Sequence, residues 1–153
     1  MTVALDDTDR AILRYLQRDA RASAKAVGAV VGLSQPATWR RIARLEQAGV
    51  IRGRRAVLDA AKAGFGVSVF LGVKLASRGR VSLEDFERAV SAIPEVVTVA
   101  HVLGLYDYRL KVVARDLEDF ERVLRRRIMT LPGVGDVESN VILSEEKATG
   151  PRV

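Results

Sequence analysis

The chain has 153 residues, 48% of them hydrophobic, and a net charge of +6 from 25 basic and 19 acidic side chains, so it can fold into two small domains or one medium-sized one. The absence of cysteine excludes disulfides, thiolate catalysis and cysteine-bound metal, and the single histidine, His101, argues against histidine-rich metal sites and nucleophile–base pairs. Because no signal sequence or long apolar run is recognisable, we expect a cytoplasmic protein with no membrane segment. We also expect no metal and no cofactor.

Residues 1–58 carry the signals of three short helices. The first helix, over residues 7–18, would turn four apolar residues inward: Leu5 just ahead of it, then Ile12, Leu13 and Leu16. Ser23 opens a second, short helix, which carries Ala26, Val27 and Val30. The turn at Gly32 and Leu33 leads directly to Ser34, and this spacing is typical of a helix-turn-helix.

The third helix lies in residues 34–51, which read SQPATWRRIARLEQAGVI. Ser34 caps it, Pro36 is tolerated in the first turn, and Gly49 ends it. One narrow stripe is suited to a core and consists of Thr38, Ile42 and Leu45. The opposite face carries Pro36, Arg40, Ala43, Arg44 and Gln47, with Trp39 beside it. Residues 50–58 then predict a β-hairpin, so that the whole domain is expected to be a winged helix-turn-helix.

Positive charge is concentrated in this first part of the chain. Residues 1–60 hold 11 basic and 6 acidic side chains, a net of +5, whereas residues 61–153 hold 14 and 13, a net of +1. A solvated helix face is the ordinary explanation of a charge run, but the local excess favours phosphate binding and hence duplex DNA. The candidate DNA-binding residues are Ser34, Gln35, Pro36, Trp39, Arg40, Arg41, Arg44, Arg52, Arg54 and Arg55.

The individual roles of these residues differ. Arg40 lies near the middle of the outward face and matches the two acceptors of guanine, whereas Arg44 is expected to contact phosphate. Arg41 either reaches phosphate or pairs with an acid such as Asp6, Asp7 or Asp9. Trp39 either packs on sugar or a thymine methyl, or seals the edge of the helical bundle as a half-buried ring.

An internal repeat organises the second half, which follows a linker at residues 59–66. Residues 83–88 and 117–122 both read LEDFER, 34 positions apart, and each copy opens an amphipathic helix. The expected caps are Ser82 with Asp85, and Asp116 with Asp119. The expected buried stripes are Leu83, Phe86, Val90 and Ile93 in the first helix, and Leu117, Phe120, Leu124 and Ile128 in the second. The proline exits at Pro94 and Pro132 are 38 apart, so the second helix should be about one turn longer.

Four apolar segments predict the strands of this domain, over residues 67–75, 96–103, 108–114 and 134–143. Together with the two helices they give the order βαββαβ, which is that of a ferredoxin-like sandwich with both helices on one face of the sheet. The domain would span residues 67–145, followed by a C-terminal tail at 146–153. The uncovered face of the sheet suggests a homodimer.

The loop at Gly104, Leu105, Tyr106 and Asp107 has two interpretations. Its backbone N–H groups and the Asp107 carboxylate suit the carboxylate and ammonium of an amino acid, with Tyr106 as a wall. Alternatively it is a hairpin turn, with Gly104 chosen for a positive φ and Asp107 for a local backbone bond. His101 on the preceding strand is interpreted as structural.

Several motifs together resemble the leucine-responsive regulatory protein/AsnC family, also called feast/famine regulators, along nearly the whole chain. They are Leu5-Asp6-x-x-Asp9-x-x-Ile12-Leu13, Asp19-Ala20-Arg21-x-Ser23, Gly32-Leu33-Ser34, Arg40-Arg41-Ile42-x-x-Leu45-Glu46-x-x-Gly49-Val50-Ile51, Leu58-Asp59, Gly104-x-Tyr106-Asp107-Tyr108 and Pro132-Gly133-Val134. The resemblance implies a transcription regulator that dimerises, often assembles into octamers, and binds amino acids or related molecules between dimers.

Departures from the family pattern affect both expected sites. Gly53-Arg54 replaces a common Gly-Tyr, and Trp39 stands where a small polar residue is common, so no operator sequence can be carried over. Val137 replaces a frequent threonine, while Ser139 keeps a hydroxyl and completes the expected effector-binding set of Gly104, Leu105, Tyr106, Asp107 and Ser139.

Three alternatives have weaker support. A siroheme-decarboxylase-like enzyme of the same fold would need more than one histidine, so we expect no enzyme activity. An RNA-binding signature over residues 63–70 lacks a basic first residue and a stacking aromatic, at Ala63 and Val67. A ligand-independent, architectural DNA-binding protein stays open.

Overall fold

A computed structural model describes residues 3–76 and 83–145. The chain divides into two compact units between Val57 and Leu58. The predicted cap at Ser82 and the predicted tail at 146–153 lie outside the described residues. No helix within the described part of the chain is long and apolar enough to cross a membrane.

The first unit is built from α1 (Asp7–Arg18), α2 (Ala24–Val31) and α3 (Gln35–Gln47), as predicted. Ser23 and Ser34 cap α2 and α3 by accepting from the backbone N–H groups of Ala26 and Ala37. The core of this unit consists of Ile12, Leu13, Leu16, Val27, Ile42 and Leu45. Among the apolar residues of α2, Val27 is buried and Val31 packs on the core, whereas Ala26 and Val30 are exposed.

Gly28 is a point of close approach between α2 and the segment that follows it. A Cβ added there would lie 2.6 Å from the carbonyl oxygen of Leu33 and 2.7 Å from Oγ1 of Thr38. Thr38 is itself fully buried and donates to the carbonyl oxygen of Ser34 at 2.9 Å. The helix-turn-helix therefore depends on the missing side chain at Gly28, which the sequence pattern did not reveal.

The predicted β-hairpin at residues 50–58 is wrong: these residues contain no strand. A two-stranded hairpin is marginal unless one face is buried. Here only Val50 and Ile51, at the start of the segment, pack on the core of the first unit, whereas Val57 is 98% exposed and Leu58 is 75% exposed. The arginine-rich stretch is irregular instead of a paired wing.

The second unit begins with a single helical turn in the region predicted as linker, capped by Asp59, whose side chain accepts from the N–H of Lys62. Four strands follow: β1 (Val67–Leu75), β2 (Val96–His101), β3 (Tyr108–Ala114) and β4 (Val134–Val141). They form one antiparallel sheet in the order β2-β3-β1-β4, with β1 bonded to both β3 and β4. The predicted ferredoxin-like sandwich is confirmed, although β2 and β4 end two residues early.

The two helices of the repeat pack on one face of the sheet. α4 (Leu83–Ser91) buries Phe86 and Val90, and α5 (Leu117–Val123) buries Phe120 and Val123 and continues as a π-helical turn, Leu124–Ile128. The expected extra length of the second helix and the Asp116 cap are confirmed. Leu83 and Leu117 are exposed, contrary to prediction, because each occupies the first helical position and lies beyond the buried stripe.

The sheet has a buried and an open face. Val69, Leu71 and Val73 of β1 point into the core beneath the helices. Because side chains alternate along a strand, Phe70 lies on the opposite face, where it is partly exposed and the ammonium of Lys111 lies 5.8 Å from its ring centroid. The open face is therefore less apolar than the sequence pattern suggested.

Candidate functional site

The outward surface of α3 begins at its capped N-terminus. Gln35 and Pro36 are exposed in the first turn, next to the Ser34 cap. Trp39 is 64% exposed, which excludes the half-buried ring that would seal the bundle. These residues form one side of an exposed surface along α3 that a ligand can contact.

Arg40 is the exposed cation nearest the middle of α3. It forms no ion pair with any residue in the part of the chain that the structure describes. A guanidinium without an intramolecular partner keeps all five of its N–H donors for a ligand. Arg40 therefore lies exposed on the outward face of α3, as predicted, with its donors available to a ligand.

Arg41 and Arg44 are bound to α1. Nη1 of Arg41 lies 2.7 Å from Oδ2 of Asp6 and 2.9 Å from Oδ1 of Asp9, so Arg41 adopts the ion-paired alternative. Nη2 of Arg44 contacts Oδ2 of Asp9, an ion pair that the sequence analysis did not foresee. Asp9 is only 1% exposed, and its burial makes these two arginines its main source of compensating charge.

These contacts shift the ionisation of the pair at the surface. Hydrogen bonding to Arg41 holds the pKa of the Asp6 carboxyl below its usual range, with a further contribution from the N–H of Asp9. The same bonds, first to Asp6 and then to Asp9, raise the pKa of Arg41. Asp6 and Asp9 also form the capping box of α1, so the start of α1 and the middle of α3 are joined by one polar network.

A shallow hollow of about 300 Å³ lies beside this network. Its lining residues come from the segment before α1 and from α3, and they are Asp6, Ala37, Arg40, Arg41 and Arg44. Three guanidinium groups therefore surround one concave surface, with the Asp6 carboxylate already paired to Arg41. Such a surface suits a phosphate group.

The arginines after α3 are exposed but are not equivalent. Arg54 lies 3.3 Å from Oε1 of Glu46 at the end of α3. Arg52 and Arg55 form no ion pair with any described residue. Arg52 and Arg55 are the members of this group whose charge is uncompensated within the described chain.

The loop after β2 contains the expected effector residues. Gly104 and Leu105 are exposed. The predicted positive φ of Gly104 is wrong: five glycines have a positive φ among the described residues, and Gly104 is not one of them. A Cβ at Gly104 would meet no atom within 4 Å, so steric crowding does not explain this glycine either.

Tyr106 folds back over the open face of the sheet. Its ring lies against Gly72, where an added Cβ would come within 2.6 Å of it, and the guanidinium of Arg109 is 5.0 Å from the ring centroid. A hydrogen bond to Glu138 raises the pKa of the Tyr106 hydroxyl. Tyr106 is thus a fixed wall whose position depends on the absence of a side chain at Gly72.

Asp107 ties the loop to β1. Its Oδ2 accepts from the backbone N–H of Leu75 at 2.9 Å, and its own N–H donates to the carbonyl oxygen of Val73 at 3.0 Å. The bond is therefore not local, as the turn interpretation required, but joins the loop to the strand at the irregularity between Val73 and Leu75. Asp107 has a structural role whatever else it does.

Ser139 does not share a face with Tyr106 within one chain. It pairs with Leu71, whose side chain points toward the helices, whereas its neighbour Glu138 lies on the open face with Tyr106. The structure therefore brings Tyr106 and Asp107 together but leaves Ser139 on the other side of β4.

His101 has the structural surroundings that were expected. Its ring stacks on that of Tyr108 at 4.8 Å between centroids, and Tyr108 donates to Oε1 of Glu87 at 2.8 Å. Burial, with the bond to Glu87, raises the pKa of Tyr108 to about 12. Within the described residues no group of three or more potential ligands is arranged to hold a metal ion.

Comparison with known proteins covers nearly the whole chain. The AsnC-type helix-turn-helix domain matches residues 5–46 and the Lrp/AsnC ligand binding domain matches residues 68–152. A proline dehydrogenase transcriptional activator from Rhizobium radiobacter is 38% identical, covering 95% of this chain and 94% of that protein. The DNA-binding transcriptional activator DecR of Escherichia coli K12 is 32% identical, with 95% of each chain covered.

Solved structures agree with these matches. A transcriptional regulator from Neisseria meningitidis, determined as a complex with L-Met, has a TM-score of 0.89 and 31% identity, covering 95% of this chain and 94% of that one. An AsnC family transcriptional regulator from Agrobacterium tumefaciens has a TM-score of 0.87 and 37% identity, with 96% and 95% covered.

Proposed function

Because the chain belongs to the Lrp/AsnC family of transcriptional regulators, we propose that α3 reads duplex DNA through Arg40, while Arg52 and Arg55 bind backbone phosphates. The observation that carries this assignment is the uncompensated charge of Arg40 at the centre of a capped, exposed helix face. A guanidinium in that position matches the paired acceptors on the major-groove edge of guanine.

The assignment is tested with Arg40→Ala. Operators are first selected from random duplexes with the wild-type protein, and affinities for the selected and a scrambled duplex are then measured by fluorescence anisotropy. Loss of a bidentate base contact is expected to weaken selected-site binding by about tenfold or more, with a smaller loss on the scrambled duplex. Arg88→Ala, which removes an exposed cation from α4, is the control. Unchanged discrimination by Arg40→Ala would refute the assignment.

We further propose that the regulator responds to an amino acid or a related metabolite. Support comes from the loop at 104–107, with Tyr106 as a wall and Asp107 as an acceptor, and from the relative solved with L-Met. Ser139 takes part only where a second copy of the chain supplies the facing surface, because it lies across the strand from Tyr106. Such a pocket between copies would also account for the open sheet face.

A thermal-shift screen with the twenty amino acids tests the response, since a ligand that binds the native state raises its apparent stability. Asp107→Asn is the informative variant, because it keeps an acceptor for the Leu75 N–H but removes the negative charge that an ammonium would need. We expect it to abolish the shift while DNA binding persists. A screen in which no amino acid shifts the wild-type transition favours the ligand-independent, architectural alternative.

Assembly, location and chemistry complete the proposal. The open sheet face around Phe70 is expected to be covered in a homodimer, which can assemble further to an octamer. A regulator that binds the chromosome acts in the cytoplasm. We propose regulation without catalysis, since the single histidine is stacked on Tyr108 and no decarboxylase-like histidine cluster can form.

A further inference from the structure

The polar network between α1 and α3 contains a buried carboxylate that contacts two cations of the candidate DNA surface. Asp9 is 1% exposed, and its two oxygens accept separately, Oδ1 from Arg41 and Oδ2 from Arg44. A buried carboxylate that loses its partners is strongly destabilising, so these contacts persist in the folded protein. Arg44 is therefore held by Asp9 before any ligand arrives.

Arg44 is held through one end only. Its contact to Asp9 uses Nη2, and the side chain is 51% exposed. A guanidinium carries five N–H donors in a rigid planar fork, so fixing one nitrogen fixes the direction of the others. The donors of Arg44 that Asp9 does not use are accessible to a ligand and have a preset orientation.

The hollow beside Arg44 is where those donors can act. Arg40, Arg41 and Arg44 line it, together with Ala37 and Asp6. The Asp6 carboxylate would repel an anion, but it lies 2.7 Å from Nη1 of Arg41. Three guanidinium groups and one paired carboxylate leave an excess of positive charge around a concave surface that is large enough to admit a phosphate group.

We propose that Asp9 is a positioning residue for DNA binding: it orients Arg44 so that the free donors of this guanidinium bind a backbone phosphate in the hollow lined by Arg40, Arg41 and Arg44. The inference rests on the proposed DNA-binding function and assigns a phosphate subsite within it. It also explains how Arg44 contacts phosphate, as its place on α3 predicts, while remaining paired to an acid.

An effect of net charge and an effect of positioning would change DNA affinity in opposite directions when Asp9 is replaced. Removing a carboxylate near a DNA-binding surface makes the surface more positive and should tighten DNA binding. If Asp9 acts by orienting Arg44, however, Asp9→Asn should weaken binding although it adds the same positive charge. Asp7 provides the matched control, because it is an exposed aspartate two residues away on α1 and contacts no cation among the described residues.

The test compares wild type, Asp7→Asn and Asp9→Asn on the selected duplex over a range of salt concentrations, with thermal unfolding recorded for each. We expect Asp7→Asn to bind DNA as tightly as wild type or more tightly. We expect Asp9→Asn to bind about tenfold more weakly, and its salt slope, which is the fall in log affinity with log salt concentration, to be smaller by about 1. Asp9→Asn binding as tightly as Asp7→Asn would overturn the inference. Wild-type protein that shows no preference for duplex DNA would instead overturn the proposed function.

A second variant covers the case in which Asp9→Asn unfolds. Arg44→Lys keeps the charge next to Asp9, but a single ammonium cannot present the guanidinium fork to Asp9 and a phosphate at once. We expect Arg44→Lys to lose nearly as much affinity as Arg44→Ala. If Arg44→Lys binds DNA like wild type, Arg44 acts as a plain charge and the positioning role of Asp9 is refuted.

Discussion

The two units of the chain differ in how their interiors are built. Six buried apolar residues form the described core of the first unit, and thirteen form that of the second. The first unit also buries an ionised group, Asp9, between two arginines, whereas the second buries a neutral phenol, Tyr108, against Glu87. The first unit, with its small core and its buried ion pairs, should therefore tolerate fewer substitutions than the second, whose sheet is covered by two helices.

The two units also differ in how many of their surface cations form ion pairs with acidic side chains. In the second unit three of the four cations of α5 and its π-helical turn pair with acids: Arg122 with Asp119, Arg125 with Glu121 and Arg127 with Glu95. In the first unit Arg40, Arg52 and Arg55 pair with none of the described residues. Similar numbers of basic side chains therefore have different consequences, because Arg40, Arg52 and Arg55 leave charge available for a polyanion, whereas most of the cations along α5 and its π-helical turn are compensated.

The largest expected effect concerns the interior of the second unit at alkaline pH. Tyr108 is fully buried and its pKa is raised to about 12, so it stays neutral in the folded state while it ionises near pH 10 in the unfolded chain. Its contribution to stability is therefore complete below pH 10 and is lost as pH rises from 10 to 12. The loss should approach 2–3 kcal/mol, at roughly 1.36 kcal/mol per pKa unit.

Urea unfolding followed by circular dichroism at pH 8 and pH 11.5 measures this loss. Tyr108→Phe should cost about 1 kcal/mol at pH 8, through the missing bond to Glu87, and should show a flatter decline toward pH 11.5. Tyr15→Phe in the first unit is the control. An equal alkaline decline in wild type and Tyr108→Phe would mean that the two interiors do not differ in this respect.

The second prediction concerns how closely the first unit is packed around Gly28. Gly28→Ala places a methyl group 2.6 Å from a backbone carbonyl oxygen and should destabilise the first unit by about 1–3 kcal/mol. Trp39 is the only tryptophan and lies in this unit, so its fluorescence reports the unit's unfolding separately. Gly104→Ala in the second unit meets no atom within 4 Å and should change stability by less than about 0.5 kcal/mol. Similar costs for the two variants would remove the contrast in packing.

The close contact at Gly28 is one of several features that local sequence patterns did not predict. The helix caps at Ser23 and Ser34 and the span of β1 were predictable, because capping side chains and alternating apolar residues are local signals. The bond between Arg44 and Asp9 joins residues 35 positions apart, and the contact of Tyr106 with Gly72 depends on a folded loop. The predicted wing at 50–58 was wrong for a related reason, since a hairpin needs a buried face and only Val50 and Ile51 of this segment pack on the core of the first unit.

The smallest expected effect is the most direct test of the contrast between free and paired cations. Arg52→Ala/Arg55→Ala removes two cations that have no described partner, and each lost phosphate contact should lower the salt slope of DNA binding by about 0.9. At moderate salt we expect affinity for the selected and the scrambled duplex to fall together by about tenfold, because phosphate contacts carry no sequence information.

The matched variant, Arg122→Ala/Arg125→Ala, removes the same formal charge from a surface where Asp119 and Glu121 already compensate it. We expect its DNA affinity and salt slope to equal those of wild type. If the two double variants lose affinity equally, DNA binding depends on total charge, and the distinction between free and paired cations is wrong. If only Arg52→Ala/Arg55→Ala loses affinity, the irregular segment after α3 binds phosphate although it forms no hairpin, because that role requires exposed charge and not strand pairing.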